Sequence, residues 1–178
     1  MREQTVDLIA SVRHAETIGI SDHFEYIRGG GFESYSKAVR LYGFRLGTEV
    51  DGGKEAAEAA GYPVDYYVYH CPDESRHYAG LDRLLETGKP VIVAHPLYLG
   101  TDLDKLPENC FVEINNRYIW RSDYRSLLAP YTSKLSFVLS SDAHQPNWLN
   151  QNVARYVATE LGVSETLLFS LADTARRQ

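Results

Sequence analysis

Four short apolar runs in this chain end in the same way, with a histidine. They are Ile18-Gly19-Ile20-Ser21-Asp22-His23, Tyr66-Tyr67-Val68-Tyr69-His70, Val91-Ile92-Val93-Ala94-His95 and Phe137-Val138-Leu139-Ser140-Ser141-Asp142-Ala143-His144. A fifth run, residues 44–50, carries Glu49 at its end. Helical patterns separate the runs, and strands joined by helices pair in parallel. In such a sheet or barrel all strand C-termini lie on one face, the face that carries chemistry. Residues far apart in sequence are therefore expected to converge.

The intervening segments support this reading. Residues 2–15 have the spacing of an amphipathic helix through Val6, Ile9 and Ala10. Residues 24–33 are polar and Gly-rich and read as a loop, followed by a helix over 34–41. Asp51-Gly52-Gly53 signals a turn, and the alanine-rich stretch 54–60 is helical until Gly61 and Pro63. Helices are expected over 74–87, 121–129, 147–160 and 164–173, with Ser164 a candidate N-cap for the last. Strands are expected over 17–21, 44–50, 65–70, 91–94, 111–114 and 135–140, six in all.

The 178 residues fit a single domain spanning the chain. No stretch approaches the roughly 20 apolar residues that span a bilayer, so no membrane partner is expected. The first residues lack a signal-peptide core. A net charge of −6 with no basic stripe gives no footprint for nucleic acid. Cys71 and Cys110 form no CxxC pair or disulfide framework, and cytoplasmic residence is the simplest expectation. Cys71 and the tyrosines of 62–69 read as packing residues.

An isolated histidine after a strand is ordinarily a hydrogen-bonded loop residue. Four in one topological position, with Glu49 beside them, point to a shared site. Neutral imidazole and carboxylate together are ligands for zinc, manganese or iron. Asp142 and His144 are two residues apart and face one side of an extended segment. Asp22 reads equally as a ligand, as an orienter of a neighbouring histidine, or as a cap. His14 and His77 lie in expected helices and are read as structural.

The ordered set Ile20-Ser21-Asp22-His23, Gly47-Thr48-Glu49-Val50-Asp51, Tyr69-His70, Ala94-His95-Pro96, Val112-Glu113-Ile114-Asn115 and Ser140-Ser141-Asp142-Ala143-His144 resembles the successive motifs of the PHP (polymerase and histidinol phosphatase) family. The resemblance implies a distorted (β/α)7 TIM-like barrel with up to three divalent metals at the strand C-termini. It implies that Glu49, His70 and His95 hold one metal, that Glu49 bridges to another with Asp142, and that His23 and His144 serve a third. It further implies hydrolysis of a phosphate monoester, as in histidinol-phosphate phosphatases.

The family opens with a strand bearing His-x-His, and this chain contains no His-x-His. Six expected strands instead of seven agree with a missing first strand. Either the chain is truncated or the motif is truly lost, and retention of the other segments favours truncation. Both imply incomplete first and third metal sites, and a gap in the barrel that a second copy of the chain would cover.

The expected reaction uses divalent cations to bind phosphate oxygens and lower the pKa of a water. Arg117 is the candidate phosphate clamp and Arg28 a second one. Gly29-Gly30-Gly31 lacks the ending of a phosphate-cradling loop and reads as a mobile loop over the site. The expected partner is a small phosphorylated substrate. Two alternatives stand beside this reading. One is an amidohydrolase-like enzyme acting on C–N bonds, and the other is a non-catalytic module that kept the fold and lost the metals.

Overall fold

The computed structural model describes residues 3–12, 15 and 17–169. Six strands form one sheet: β1 (Gly19–His23), β2 (Arg45–Asp51), β3 (Tyr66–His70), β4 (Val91–Val93), β5 (Phe111–Asn115) and β6 (Ser136–Ser140). Every neighbouring pair is parallel, and the spatial order is the sequence order. Crossovers of one hand that always step to the next strand place their helices on one face. The sheet curls away from them into a half-barrel, the arrangement of TIM-like folds rather than of a doubly wound sheet.

The alternation of side chains sorts the strands into two faces. Leu46, Val50, Tyr67, Tyr69, Val91, Val93, Val112, Ile114 and Phe137 enter the main core beneath the helices. The alternate residues Tyr66, Ile92 and Val138 form a smaller cluster with Val68, Phe111, Leu168 and Phe169. Burial on both faces explains the nearly continuous apolar runs. Tyr66 also explains two glycines. A Cβ on Gly47 would stand 2.3 Å from Tyr66 Cζ, and one on Gly19 would stand 2.5 Å from Tyr66 Oη. The tyrosine ring thus lies across β1 and β2 and floors the concave face.

The helices are α1 (Glu3–Val12), α2 (Phe24–Ile27), α3 (Gly31–Leu41), α4 (Gly53–Ala59), α5 (Ser75–Leu85), α6 (Pro96–Leu99), α7 (Tyr124–Leu128) and α8 (Asn152–Leu161). His77 lies in α5, as its spacing predicts. His14 lies outside the described residues. Cys71 and Cys110 are both buried in the main core.

Four local expectations are corrected, one of them the helix over 147–160, which is a 3-10 turn, Pro146–Trp148, followed by α8 from Asn152. The Gly-rich stretch 24–33 is not one loop: Phe24 and Ile27 are buried and turn it into α2, and α3 already starts at Gly31. The Gly29 amide donates to Tyr62 Oη at 2.8 Å, which ties down the turn between the two helices. A lid over the site therefore has no length to form there. The stretch 121–129 is divided into a 3-10 turn, Ile119–Arg121, and α7, whose N-cap Asp123 accepts from the Ser126 amide. The stretch 164–169 is not helical. Gly162 ends α8 in the left-handed conformation, and the chain then runs along the edge of β6. The Thr166 amide donates to the Phe137 carbonyl at 2.7 Å, so its hydrogen bond goes to the sheet instead of a helix. Ser164 therefore caps nothing; residues 170–173 of that expected helix lie outside the described residues.

Beyond this edge contact, Phe169 packs on Tyr66, with ring centroids 6.0 Å apart, and under the Arg45 guanidinium at 4.4 Å. The segment fills the concave face at the N-terminal ends of the strands. Among the described residues no helix is long and apolar enough to cross a membrane.

Candidate metal centre

Glu49 shares the concave face of β2 with Gly47, two residues earlier. His70 ends β3 on the same face, because Tyr66 and Val68 precede it at two-residue steps. His95 follows β4. Glu49, His70 and His95 each offer a ligand atom within 4.8 Å of the others, the one such group among the described residues. His23 stands opposite Glu49 in the β1–β2 register, with Nε2 3.6 Å from Glu49 Oε2.

The backbone at His95 is unusual. Its φ of 28° is positive, a conformation that non-glycine residues rarely adopt, and proline follows it. Glu113 holds it there: one carboxylate oxygen accepts from the His95 amide at 2.7 Å and lies 3.3 Å from His95 Nδ1. The same carboxylate accepts from Asn115 Nδ2 at 3.0 Å and from Ser140 Oγ at 2.5 Å. Glu113 is 6% exposed, so this network satisfies a buried charge.

His70 Nε2 lies 2.7 Å from Glu49 Oε1, yet it is enclosed and makes no aligned hydrogen bond. Its Nδ1 lies 2.6 Å from Asp51 Oδ1. Burial opposes a charged His70 ring, but the Glu49 and Asp51 carboxylates outweigh burial and lift its pKa to about 9. Burial likewise works against ionised Glu49, and His70, His23 and His95 together hold its carboxyl below the ordinary range. Negative charge thus gathers around imidazole nitrogens that aim at a common point.

A second polar corner lies at the end of β6. Asn115 Nδ2 also reaches Asp142 Oδ2, at 3.3 Å, and so links this corner to Glu113. Arg117 Nη1 stands 3.5 Å from Asp142 Oδ1 and 3.0 Å from both ring nitrogens of His144. Asp142 has a positive φ of 49°. Burial and then the nearby Glu113 charge raise the Asp142 carboxyl to about 6, with His95 and Arg117 acting against them.

The expected ligands therefore divide. Glu49, His70 and His95 converge, and His23 stands at their margin. Asp142 and His144 sit together around the Arg117 guanidinium and join no cluster of three. Asp22 pairs in register with Thr48, out of step with the His23–Glu49 pair. Its amide donates to Tyr35 Oη, and its carbonyl accepts from Thr48 Oγ1. Arg28 faces Glu58 at 3.6 Å and is half-exposed. Sequence reasoning assigned no role to Glu113, Asn115, Ser140 or Asp51. The available signal was the pattern Phe-Val-Glu-Ile-Asn, where Glu113 and Asn115 break an apolar strand at a two-residue step.

Three observations test whether the triad suits a cation. The donor set is two imidazoles and a carboxylate, which zinc, manganese and iron accept. His70 Nε2 is a buried ring nitrogen that makes no aligned hydrogen bond and faces only the Glu49 carboxylate, 2.7 Å away. Asp51 and Glu113 approach the Nδ1 atoms of His70 and His95, the carboxylate–histidine pairing that orients metal-binding imidazoles. The residues fit. Fold and site together define a parallel α/β half-barrel with a histidine–carboxylate cluster at its strand C-termini. No family model matches the chain, and comparison with curated proteins finds none that matches.

Proposed function

We propose that this chain is a metal-dependent phosphoesterase of the PHP type, acting on a small phosphate monoester. The observation that carries the reading is the convergence of Glu49, His70 and His95 at the strand ends, with His70 Nε2 enclosed and aimed at Glu49 Oε1. Those three residues would hold a divalent cation. Such a cation, when bound, binds phosphate oxygens and lowers the pKa of a water toward neutrality. Glu113 fixes His95 through its amide, and Asp51 fixes His70 through Nδ1. Arg117, whose guanidinium lies against Asp142 and His144 at the same end of the sheet, would grip a phosphate. It also brings positive charge to the corner where the family resemblance implies a further metal. That favours a site with fewer than three cations.

The test is metal content followed by turnover. The purified protein is expected to hold about one zinc, manganese or iron per chain. It should release phosphate from a panel of phosphate monoesters, lose that activity to a chelator and regain it with added metal. Hydrolysis of an amide panel but of no phosphate ester would move the chain to C–N bond chemistry. Bound cation without turnover of either panel would support a binding module. Neither bound cation nor phosphate release with any added metal would overturn the proposal.

A further inference from the structure

Two arginines share one tyrosine ring beside the triad. The Tyr118 ring stands 4.9 Å from that of His95, centroid to centroid. The Arg117 guanidinium carbon lies 4.9 Å from the Tyr118 ring centre, and that of Arg121 lies 5.1 Å from it. The two guanidiniums are therefore no more than about 10 Å apart, comparable to the Debye length of about 8 Å at physiological ionic strength. Tyr98 stacks on Tyr118 at 4.2 Å with an interplanar angle of 24°, so both cations approach from the other face or from the ring edge. They repel each other, in a chain whose net charge is −6. Asp142 partly offsets Arg117, at 3.5 Å. Among the described residues Arg121 makes no salt bridge, whereas Arg125 and Arg155 pair with Glu160 and Glu165.

The segment that carries the two cations is held in place. Asn115 is 1% exposed, and its Oδ1 accepts from the Tyr118 amide at 2.7 Å. Ile119 is buried, and the Arg121 amide donates to the Tyr118 carbonyl at 2.9 Å, closing the 3-10 turn Ile119–Arg121. The Arg121 guanidinium also lies 5.2 Å from the Trp120 ring. Aromatic rings flank this cation without neutralising it, and they leave its N–H fork for an anion. The charge is thus placed before a ligand arrives, which lowers the ordering cost of binding. Trp120 is 61% exposed, so this end of the pair faces solvent.

We infer that Arg117 and Arg121 form a two-point anion site, in which Arg121 takes a carboxylate carried by the same small molecule whose phosphate meets Arg117. The substrate class is then the phosphate monoesters of short hydroxy acids. The inference rests on the proposed phosphoesterase reading for the place of the phosphate. One guanidinium and one carboxylate match in charge and in planar, bidentate geometry. A short carbon chain spans the two cations, and their mutual repulsion is relieved when one ligand neutralises both.

The experiment compares 3-phosphooxypropanoate with 3-hydroxypropyl phosphate. Both have the same chain length and a primary alcohol leaving group, and a carboxylate in the first replaces a hydroxymethyl group in the second. The metal-loaded protein is assayed alongside Arg121→Gln, Arg121→Lys and Arg125→Gln. Circular dichroism and metal content check that each variant is folded and loaded. The wild type should favour the carboxylate ester in kcat/KM by about fivefold, and Arg121→Gln should bring the ratio close to unity. Arg121→Lys should keep part of the preference, since it keeps the charge and loses the fork. Arg125→Gln removes an arginine already paired with Glu160 and should leave the ratio unchanged. No preference in the wild type, an unchanged ratio in Arg121→Gln, or an equal fall in Arg125→Gln overturns the site. If neither ester is hydrolysed, the phosphoesterase reading fails separately. Binding of the two esters by calorimetry then decides the site on the same ratio and the same variants, and no binding of either ester overturns it.

Discussion

At the ends of β2, β3 and β4, Glu49, His70 and His95 turn their donor atoms toward one another with no lysine or arginine among them. At the end of β6, Asp142 and His144 have the same chemistry but surround the Arg117 guanidinium. The two regions belong to one sheet and are joined by hydrogen bonds through Glu113 and Asn115. The difference shows that ligand-type residues at a strand end do not by themselves make a metal site. What distinguishes the first region is the convergence of three donors with no guanidinium between them; the positive charge there is a proton that the carboxylates hold on His70. In the second, a side chain already supplies the positive charge.

The comparison is broken most decisively by removing a ligand from each region. His70→Ala is expected to weaken zinc binding by about 100-fold or more, whereas Asp142→Asn should change it by less than about tenfold. Isothermal titration reads both, and the reverse order would exchange the roles of the two corners. Glu113→Ala comes next. It strands the His95 amide, Asn115 Nδ2 and Ser140 Oγ, all donors to one buried carboxylate. We expect a loss of about 2–4 kcal/mol in chemical denaturation, with zinc affinity about tenfold lower. Intact stability in this variant would show that Glu113 does not hold the two regions together.

Gly47→Ala probes the floor beneath Glu49. The new methyl group would press on the Tyr66 ring, and a cost of about 1–3 kcal/mol is expected from overpacking. A neutral result would mean that Tyr66 can move and does not fix the concave face.

The smallest effect concerns proton binding at β6 in the metal-free protein. Asp142 titrates near 6 instead of its ordinary 3.8, raised by burial and by Glu113 and restrained by His95 and Arg117. Because its folded-state pKa is raised, its contribution to stability is complete below about pH 4 and is lost as the pH rises through about 6. Arg117→Ala should raise the midpoint further, as read by carbon NMR of the carboxyl group. An unchanged midpoint would show that the guanidinium does not neutralise Asp142.

Much of this architecture was legible in the sequence because burial on both faces writes strands as apolar runs. The run Val91-Ile92-Val93 could be little else, and the polar residues that end such runs mark the functional face. Glu49, His70 and His95 were found in that way. The misread segments depend on contacts distant in sequence. The stretch 164–169 has a helical pattern, but the open edge of β6 offers its amides better partners. The Gly-rich stretch looked loose because Tyr62, which binds the Gly29 amide, is 33 residues away. Arg117 was anticipated as a phosphate clamp, but nothing local signalled that its guanidinium would rest between Asp142 and His144. Glu113 was hidden for a similar reason: two of its three partners, His95 and Ser140, lie on other segments.

The most direct test of the account is anomalous diffraction from crystals grown with zinc, recorded at the metal edge. The account predicts a peak between Glu49, His70 and His95, and none between Asp142 and His144 while Arg117 is in place. A peak at the Asp142–His144 corner with none at the triad would contradict it, as would zinc-grown crystals with no ordered cation at either corner.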